Sequence, residues 1–246
     1  MAHVHTLPRA VAKHEFAPFE ELVNHVRHDR IERWIDVEDE FIRVVGLSDT
    51  EFVLGSRDID WDQSKTQCFN DLIVGLLANI SGKPISMRQK KRSQIFDLVD
   101  IDICFPREGD PIVAAAVNML GAPPLSGDTS IASGTSNDFC NRVREVAFSS
   151  MDLKAAYARP QPIRSFQNWA DSTSPGYFSF WAIRAEDRED SEEVRSTLAS
   201  SRTYCNGVGA VIYVPTKTSN PTEYGVDRVT ALSIDRVIKE MAQRIA

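Results

Sequence analysis

The sequence of 246 residues has little histidine, and all of it lies near the start, at His3, His5, His14, His25 and His28. A hydrolase or zinc enzyme that depends on an imidazole would have to draw it from this segment, which disfavours both classes. Glycine-rich phosphate loops are also missing, because neither GxGxxG nor GxxxxGK[ST] occurs. The common nucleotide-binding enzymes therefore have no support in the sequence.

Cysteine and long apolar runs are scarce as well, and the 28 basic residues are outnumbered by 35 acidic ones. The four cysteines stand far apart without a CxxC pair, which predicts buried thiols rather than a zinc site or disulfides. No apolar run approaches the ~20 residues that span a bilayer, and no export pattern is apparent, so we expect a cytoplasmic protein. A net charge of -7 argues against nonspecific coating of nucleic acid. It still permits basic residues to line a single cleft.

Two short apolar segments between residues 97 and 120 carry the most informative polar residues. The first reads VDIDICF and contains Asp100 and Asp102, and the second reads PIVAAAVN and contains Asn118. Alternation along a strand puts both acids on one face of the first strand, and Ala116 with Asn118 on one face of the second. If the strands are neighbours, these positions converge. Water-facing acids and a satisfied core amide are the alternative interpretation.

These two segments resemble the PD-(D/E)xK nuclease superfamily, and within it the type II restriction endonucleases. The resemblance covers residues 65–220 in the order of elements and is sharpest in the two strands, where PIVAAAVN is similar to a segment that would read PIVAAEVK. It implies an α/β, restriction-endonuclease-like mixed β-sheet flanked by helices. It also implies a sequence-specific double-stranded DNA endonuclease that uses Mg²⁺ and acts as a homodimer.

The same resemblance implies roles for individual residues. Asp102 would be the first catalytic acid and a metal ligand, and Asp100 an auxiliary ligand. Ala116 occupies the place of the second acid, and Asn118 the place of the lysine. Asp71, on the preceding helix, would be a neighbour of the metal site, although an exposed helical acid is the alternative.

The two departures predict that cleavage is disabled. Two carboxylates hold the metal in such nucleases, and the lysine positions the attacking water and offsets developing charge. Ala116 offers no ligand, and Asn118 brings no positive charge. We expect hydrolysis to fall by several orders of magnitude, and the departures could be engineered or natural. The rival hypotheses are a non-catalytic DNA-binding or protein-interaction module and an unrelated metabolic enzyme.

A second acid and lysine pair, Asp152 and Lys154, mimics the missing residues. The apolar positions between residues 137 and 158 follow a helical period, and residues two apart on a helix point in different directions. We therefore predict that these side chains are solvated and do not serve a metal. A strand in this segment, beside Asp102, would reverse that prediction.

Three parts of the sequence are candidates for DNA contact. The basic segment MRQKKRSQ either meets backbone phosphate or forms a solvated turn at the end of a helix; its cations are Arg88, Lys90, Lys91 and Arg92. Further along, Arg164, Gln167 and Asn168 have side chains that can read base edges, and ordinary loop residues are the alternative interpretation. The stretch from residue 121 to 138, rich in Gly, Ser and Pro, is predicted to be a DNA-contacting loop.

The remaining pattern predicts an N-terminal helical segment at residues 1–60 and a nuclease domain at 61–246. Helices are expected at residues 19–35, 37–45, 64–81, 137–158, up to 201, and 232–245, with strands at 176–185 and 209–215. Gly46 is predicted to stop the second helix, and residues 47–63 to form a strand or loop. The N-terminal helices are a plausible dimer interface.

Overall fold

The computed structural model describes residues 16–55, 61–95, 97–123, 134–157, 175–217 and 220–246. In these residues a six-stranded mixed sheet lies between two layers of helices. The α/β class and the mixed sheet flanked by helices are as predicted.

The helices and strands of the described residues alternate along most of the chain. The helices are α1 (Ala17–His28), α2 (Glu38–Val53), α3 (Trp61–Ser81), α4 (Gly134–Tyr157), α5 (Arg188–Ser201) and α6 (Ile234–Ile245). The strands are β1 (Ser86–Arg92), β2 (Leu98–Phe105), β3 (Val113–Leu120), β4 (Gly176–Arg184), β5 (Gly207–Lys217) and β6 (Asn220–Asp227). Short 3₁₀ turns precede α2 and α6.

The strands follow one another across the sheet in sequence order, from β1 at one edge to β6 at the other. The three central strands β3, β4 and β5 are parallel, and α4 and α5 connect them. The outer pairings, β1 with β2, β2 with β3, and β5 with β6, are antiparallel. Parallel strands are buried on both faces, and every residue of β4 is buried accordingly.

Each face of the sheet supports its own hydrophobic cluster. The first cluster joins α1, α2, α3 and α6 to side chains such as Ala115 and Phe178. The second joins α4 and α5 to the opposite side chains, such as Ala114 and Tyr177. Helix α6 illustrates the pattern, because its apolar side chains all face the sheet and Ser233 caps its first turn through the amide of Arg236.

The N-terminal helices share the first cluster with α3 and the sheet. Phe19, Leu22, Val23 and Val26 of α1 are buried there together with side chains of α3 such as Leu72. The described part of residues 1–60 is therefore packed onto the same core as the predicted nuclease domain. The apolar face of α1 is used within the chain rather than left for a partner.

The predicted end of the second helix at Gly46 is wrong. Helix α2 runs through Gly46 to Val53, so residues 47–53 are helical rather than a strand or loop. The glycine serves close packing, because a Cβ at this position would lie 2.5 Å from the carbonyl oxygen of Thr222 on β6. A glycine within a helix thus marks where α2 approaches the edge of the sheet.

The predicted strands at β2, β3, β4 and β5 are confirmed, as are the helices α3, α4, α5 and α6. The two edge strands, β1 and β6, were not predicted. The cysteines in the described residues are free thiols, and Cys68, Cys104 and Cys205 are buried as predicted. In the described part of the chain, no helix has the length and apolar character needed to cross a membrane.

Candidate functional site

Strands β2 and β3 pair at one end and separate where the candidate residues lie. Their paired residues are Phe105 with Val113, Cys104 with Ala114, and Ile103 with Ala115. The next opposed positions are Asp102 and Ala116. The two predicted site strands are therefore antiparallel neighbours, and the candidate acid stands at the point where their ladder stops.

The carboxylate of Asp102 crosses this gap and binds the backbone of β3. Its Oδ2 accepts a hydrogen bond from the N–H of Val117 at 2.9 Å. In a continued ladder that N–H would bond a main-chain carbonyl of β2, so the side chain replaces a ladder acceptor. Because Val117 lies between Ala116 and Asn118, the carboxylate lies against the segment that bears both predicted positions.

The alternation predicted for β2 breaks at Asp102. Ile101 packs into the cluster on the α4 side of the sheet, whereas Ile103 packs into the opposite cluster. Residues two apart would share a face in a regular strand, so the regular alternation from which the faces of Asp100 and Asp102 were predicted does not hold here. The break turns the Asp102 side chain toward the gap between β2 and β3.

Arg88 on β1 shows the matching irregularity. Its neighbours Met87 and Gln89 pair with Ile103 and Ile101, while Arg88 itself has a φ of 49° in the left-handed region. That conformation is unfavourable for a residue with a Cβ. The Arg88 guanidinium donates a hydrogen bond to the Gln67 side chain on α3. The irregular backbone at Arg88 of β1 therefore lies beside Asp102, whose carboxylate takes the place of a backbone acceptor between β2 and β3.

Burial dominates the electrostatics of Asp102. Loss of solvent raises the pKa of this carboxyl, and the nearby negative charge of Asp100 adds to the increase. The hydrogen bond from Val117 and the positive charge of Arg88 act in the opposite direction and lower the pKa. A bound anion such as a phosphate would repel the ionised carboxylate of Asp102. The positive charge of Arg88 could offset that repulsion.

Asn118 and Ala116 lie on the face of β3 that packs toward α4. Ala116 contacts the cluster of that face and is aligned with Ser179 on β4, while Asn118 is aligned with Trp181. The Nδ2 atom of Asn118 is buried and has no hydrogen-bond partner among the described residues. Since a buried donor without an acceptor costs free energy, the site is suited to an added hydrogen-bond acceptor.

The two other predicted acids make contacts of their own. Asp100 is largely exposed, and one of its carboxylate oxygens is 3.8 Å from the Lys90 ammonium. Asp71 is fully buried on α3, where its carboxylate lies 3.6 Å from the Arg27 guanidinium of α1. Helix α3 packs on the face opposite to Ala116. The alternative of an exposed helical acid at Asp71 is therefore wrong.

The basic segment forms edge strand β1 instead of the solvated turn considered above. Arg88, Lys90 and Arg92 are exposed, whereas Lys91 is buried. The Lys91 ammonium donates to three carbonyl oxygens of the β2–β3 turn, those of Pro106, Arg107 and Gly109, at 3.3, 2.8 and 3.0 Å. Lys91 therefore holds the turn, and phosphate contact by it would require breaking these bonds.

Asp152 and Lys154 lie on helix α4, so the predicted helix is confirmed. The prediction that they are solvated is wrong, because both are buried. Asp152 Oδ1 accepts from the amides of Gln94 and Ile95 at 2.8 Å each, and Lys154 Nζ donates to the Tyr204 carbonyl at 3.3 Å. The two side chains thus make separate contacts within the fold.

The remaining predicted contacts fall outside the described residues. Arg164, Gln167 and Asn168 belong to this group, as does most of the predicted loop from residue 121 to 138.

The side chains in the gap do not fit a magnesium ion. Mg²⁺ binds oxygen ligands, above all carboxylates. Asp102 has one oxygen bonded to Val117, Ala116 has no donor atom, and the buried Nδ2 of Asn118 is itself a hydrogen-bond donor. Among the described residues, no three His, Cys, Asp or Glu side chains come together in a group that could hold a metal ion.

Sequence analysis missed a buried polar network at the carboxyl ends of β3 and β4. Lys65 Nζ lies 3.0 Å from Asp49 Oδ1, and both side chains are fully buried. Tyr224 donates its hydroxyl to Asp49 Oδ2 at 2.6 Å and accepts from Arg184 Nε at 3.3 Å. Burial raises the pKa of Asp49, while the charge of Lys65 lowers it. The network ties α2 and α3 to β4 and β6, and its members are too far apart in sequence to form a motif.

No protein-family model matches this sequence, and comparisons with curated proteins and with solved structures gave no match either. The interpretation of the site therefore depends on its geometry and on the resemblance of the two strands.

Proposed function

We propose that the chain is a sequence-specific duplex-DNA-binding protein of restriction-endonuclease-like fold, with a cleavage centre that is incomplete as it stands. The type II restriction endonucleases cleave at the corresponding gap with Mg²⁺. In this chain the gap would bind the DNA backbone, and Ala116 with Asn118 would account for the loss of hydrolysis.

The observation that carries the proposal is the hydrogen bond from Val117 to Asp102. It holds a half-buried carboxylate against the segment in which a nuclease of this class would carry its second acid and its lysine. Two irregularities, the left-handed backbone at Arg88 and the broken alternation at Asp102, occur at the same place. Such irregular backbone is concentrated at binding and catalytic sites.

The side chains around the gap favour binding over chemistry. Arg88 supplies a positive charge, and Asn118 supplies a buried donor that lacks an acceptor in the described residues. Phosphate oxygens can accept from both groups, each on its own side of the sheet, since Arg88 bonds α3 and Asn118 faces α4. Without a second carboxylate the site has neither a metal to activate water nor a lysine to position it, so we assign no catalytic step to this chain.

A two-fold homodimer belongs to the same proposal, since two-fold proteins match palindromic sites in DNA. Because the apolar face of α1 is buried within its own chain, a dimer interface on the N-terminal helices would have to use their exposed sides.

Repair of the two departures tests the nuclease origin of the site. We expect the double variant Ala116→Glu, Asn118→Lys to nick or linearise supercoiled plasmid in the presence of Mg²⁺ and to be inert in EDTA. Adding Asp102→Asn should abolish the cleavage, because the amide has lost the charge that binds the metal. The single variant Asn118→Lys is the matched control and should remain inert.

Two results would count against the proposal. A folded double variant that binds duplex DNA but never cuts would contradict the nuclease origin and leave the non-catalytic DNA-binding module. A folded wild-type chain that binds no duplex at low salt would contradict DNA binding itself and favour an unrelated enzyme. Circular dichroism of each variant confirms that the comparison is made between folded proteins.

A further inference from the structure

We infer that the exposed side of edge strand β1 is a phosphate strip, formed by Arg88, Lys90 and Arg92, that follows the backbone of one strand of duplex DNA beside the Asp102 gap. The inference rests on the proposed DNA binding and names the surface that would supply it. It excludes Lys91, the fourth cation of the segment.

The three side chains face the same side of the sheet. Lys91 is paired with Val99, which packs toward α4, so its neighbours Lys90 and Arg92 face the opposite side. Arg88 reaches that side as well, because its guanidinium bonds Gln67 of α3. The strip is therefore continuous along β1 and ends at the residue next to Asp102.

The spacing of the strip suits a nucleic-acid backbone. A strand rises about 3.4 Å per residue, so the Cα atoms of residues 88 and 92 are separated by roughly 14 Å. Successive cations of the strip are therefore about 7 Å apart, which exceeds the ~3.4 Å of helix axis per phosphate of one DNA strand, as a backbone that winds around that axis requires. Each of the three cations can then meet a phosphate of its own.

The position of β1 leaves the strip accessible. It is the first strand of the sheet and pairs with β2 alone, so its outer edge is open in the described residues. Among the described residues, the one ion pair of the strip joins Lys90 to Asp100 at 3.8 Å, and both side chains are mostly exposed. Exposed pairs of this kind are weak and screened by salt, so a phosphate can replace the carboxylate.

The backbone of Arg88 gives a second, independent argument. Glycine would adopt its φ of 49° without strain, yet the position carries a long cationic side chain. A residue kept in an unfavourable conformation is typical of binding sites. The strain places the guanidinium beside Asp102, where its positive charge lowers the pKa of that carboxyl.

Salt dependence of DNA affinity measures the number of phosphate contacts directly. We propose fluorescence anisotropy with a labelled mixed-sequence 20-base-pair duplex over a series of NaCl concentrations. For a duplex, the slope of log K against log salt falls by about 0.9 for each phosphate contact removed. Arg88→Gln, Lys90→Gln and Arg92→Gln should each flatten the slope by about that amount, and the triple variant by about 2.7.

The matched control is Arg188→Gln, which removes an exposed guanidinium from α5 on the other face of the sheet. Its slope should equal that of the wild type. Arg88→Gly separates binding from stability, because it relieves the left-handed backbone while removing the charge. We expect its Tm to be equal to or above that of the wild type and its salt slope to be flatter.

The possible outcomes distinguish failure of the phosphate strip from failure of the proposed DNA binding. A triple variant with the wild-type slope on duplex DNA would overturn the strip and leave DNA binding intact. The same titration is made with one labelled strand of the duplex alone. If the protein binds this single strand more tightly than the duplex, and each cation removed changes the slope by about 0.7, the ligand of the strip is single-stranded and not duplex DNA. Absence of duplex binding by the wild type would instead overturn the proposed function. A fall of both Tm and slope in Arg88→Gly would assign Arg88 a structural role.

Discussion

The Oδ2 atom of Asp102 accepts a hydrogen bond from the backbone N–H of Val117 at 2.9 Å, across the gap where β2 and β3 separate. A side chain thereby completes a pairing that a regular sheet would make through its main chain. The bond makes Asp102 a structural residue as well as a site residue, and the two roles respond differently to substitution.

Asp102→Ala should destabilise the protein by about 1–3 kcal/mol, because it leaves the buried N–H of Val117 without an acceptor. Asp102→Asn retains an acceptor oxygen and should remain within about 1 kcal/mol of the wild type. Urea unfolding of the three proteins at one pH measures the difference. Equal losses in both variants would show that the carboxylate acts through its charge rather than through this bond.

The pH dependence of stability follows from the raised pKa of Asp102. A carboxyl with a folded-state pKa above the unfolded value stabilises the fold when protonated, and this contribution is lost as pH rises through the folded pKa. Asp102→Asn should therefore lose less stability than the wild type as pH rises from the acidic range to neutrality. Parallel stability curves for the two proteins would contradict the assignment.

Lys91 is expected to stabilise the β2–β3 turn. Lys91→Met removes an ammonium that three carbonyl oxygens hold, and we expect a loss of about 1–3 kcal/mol. Lys90→Met on the same strand is the control and should change stability by no more than about 0.5 kcal/mol, because its side chain is exposed. A Lys91 variant as stable as the Lys90 variant would show that the turn does not depend on the ammonium.

Gly46→Ala tests the close approach of α2 to β6. The new methyl group would meet the Thr222 carbonyl oxygen at 2.5 Å, and the resulting shift of a helix against the sheet should cost about 1–3 kcal/mol. The better helix propensity of alanine offsets at most about 1 kcal/mol of this. Gly75→Ala on α3, where the nearest atom is a movable Val26 methyl at 3.2 Å, should be less destabilising. The urea midpoints of both variants provide the comparison.

The lowered pKa of Lys154 predicts a second effect of pH on stability, in the alkaline range. Burial lowers the pKa of its ammonium from 10.5 to about 8, with Cys205 acting to raise it and Arg244 to lower it. At pH values between these two pKa values, Lys154 carries a proton in the unfolded chain but not in the folded chain. The free energy of unfolding should therefore rise with pH through this range. The rise is on the order of 3 kcal/mol.

Lys154→Met should abolish this rise and make the protein more stable than the wild type near pH 7, because no charge has to be buried. Chemical unfolding of both proteins between pH 7 and 10.5 measures it. An unchanged pH profile in the variant would show that Lys154 is ionised in the fold at no cost.

The sequence predicted the elements that are held by apolar side chains. Strands β3 and β4 and helix α4 carry strong apolar patterns, and each was found near its predicted bounds. Strand β1 was missed because its sequence, SMRQKKR, is almost entirely polar. An edge strand is stabilised by pairing to its neighbour, here β2, and its own composition says little about it.

The site was predictable only in outline. Pairing of the two short strands placed Asp102 opposite Ala116, although the alternation predicted for β2 breaks at Asp102. The break between Ile101 and Ile103 depends on the backbone of Arg88 and on a bond to Val117, and neither has a local sequence signal. The burial of Lys91 and Lys154 was likewise not predictable, because tertiary contacts decide which lysines of a sequence are buried.

The account depends most directly on duplex binding by the unmodified chain. The decisive measurement is a gel shift at low salt against a pool of random duplexes, with sequencing of the bound fraction. The account predicts a retarded complex and an enriched, two-fold symmetric sequence. A folded protein that retards no duplex, or one that enriches no sequence over successive rounds, would contradict it.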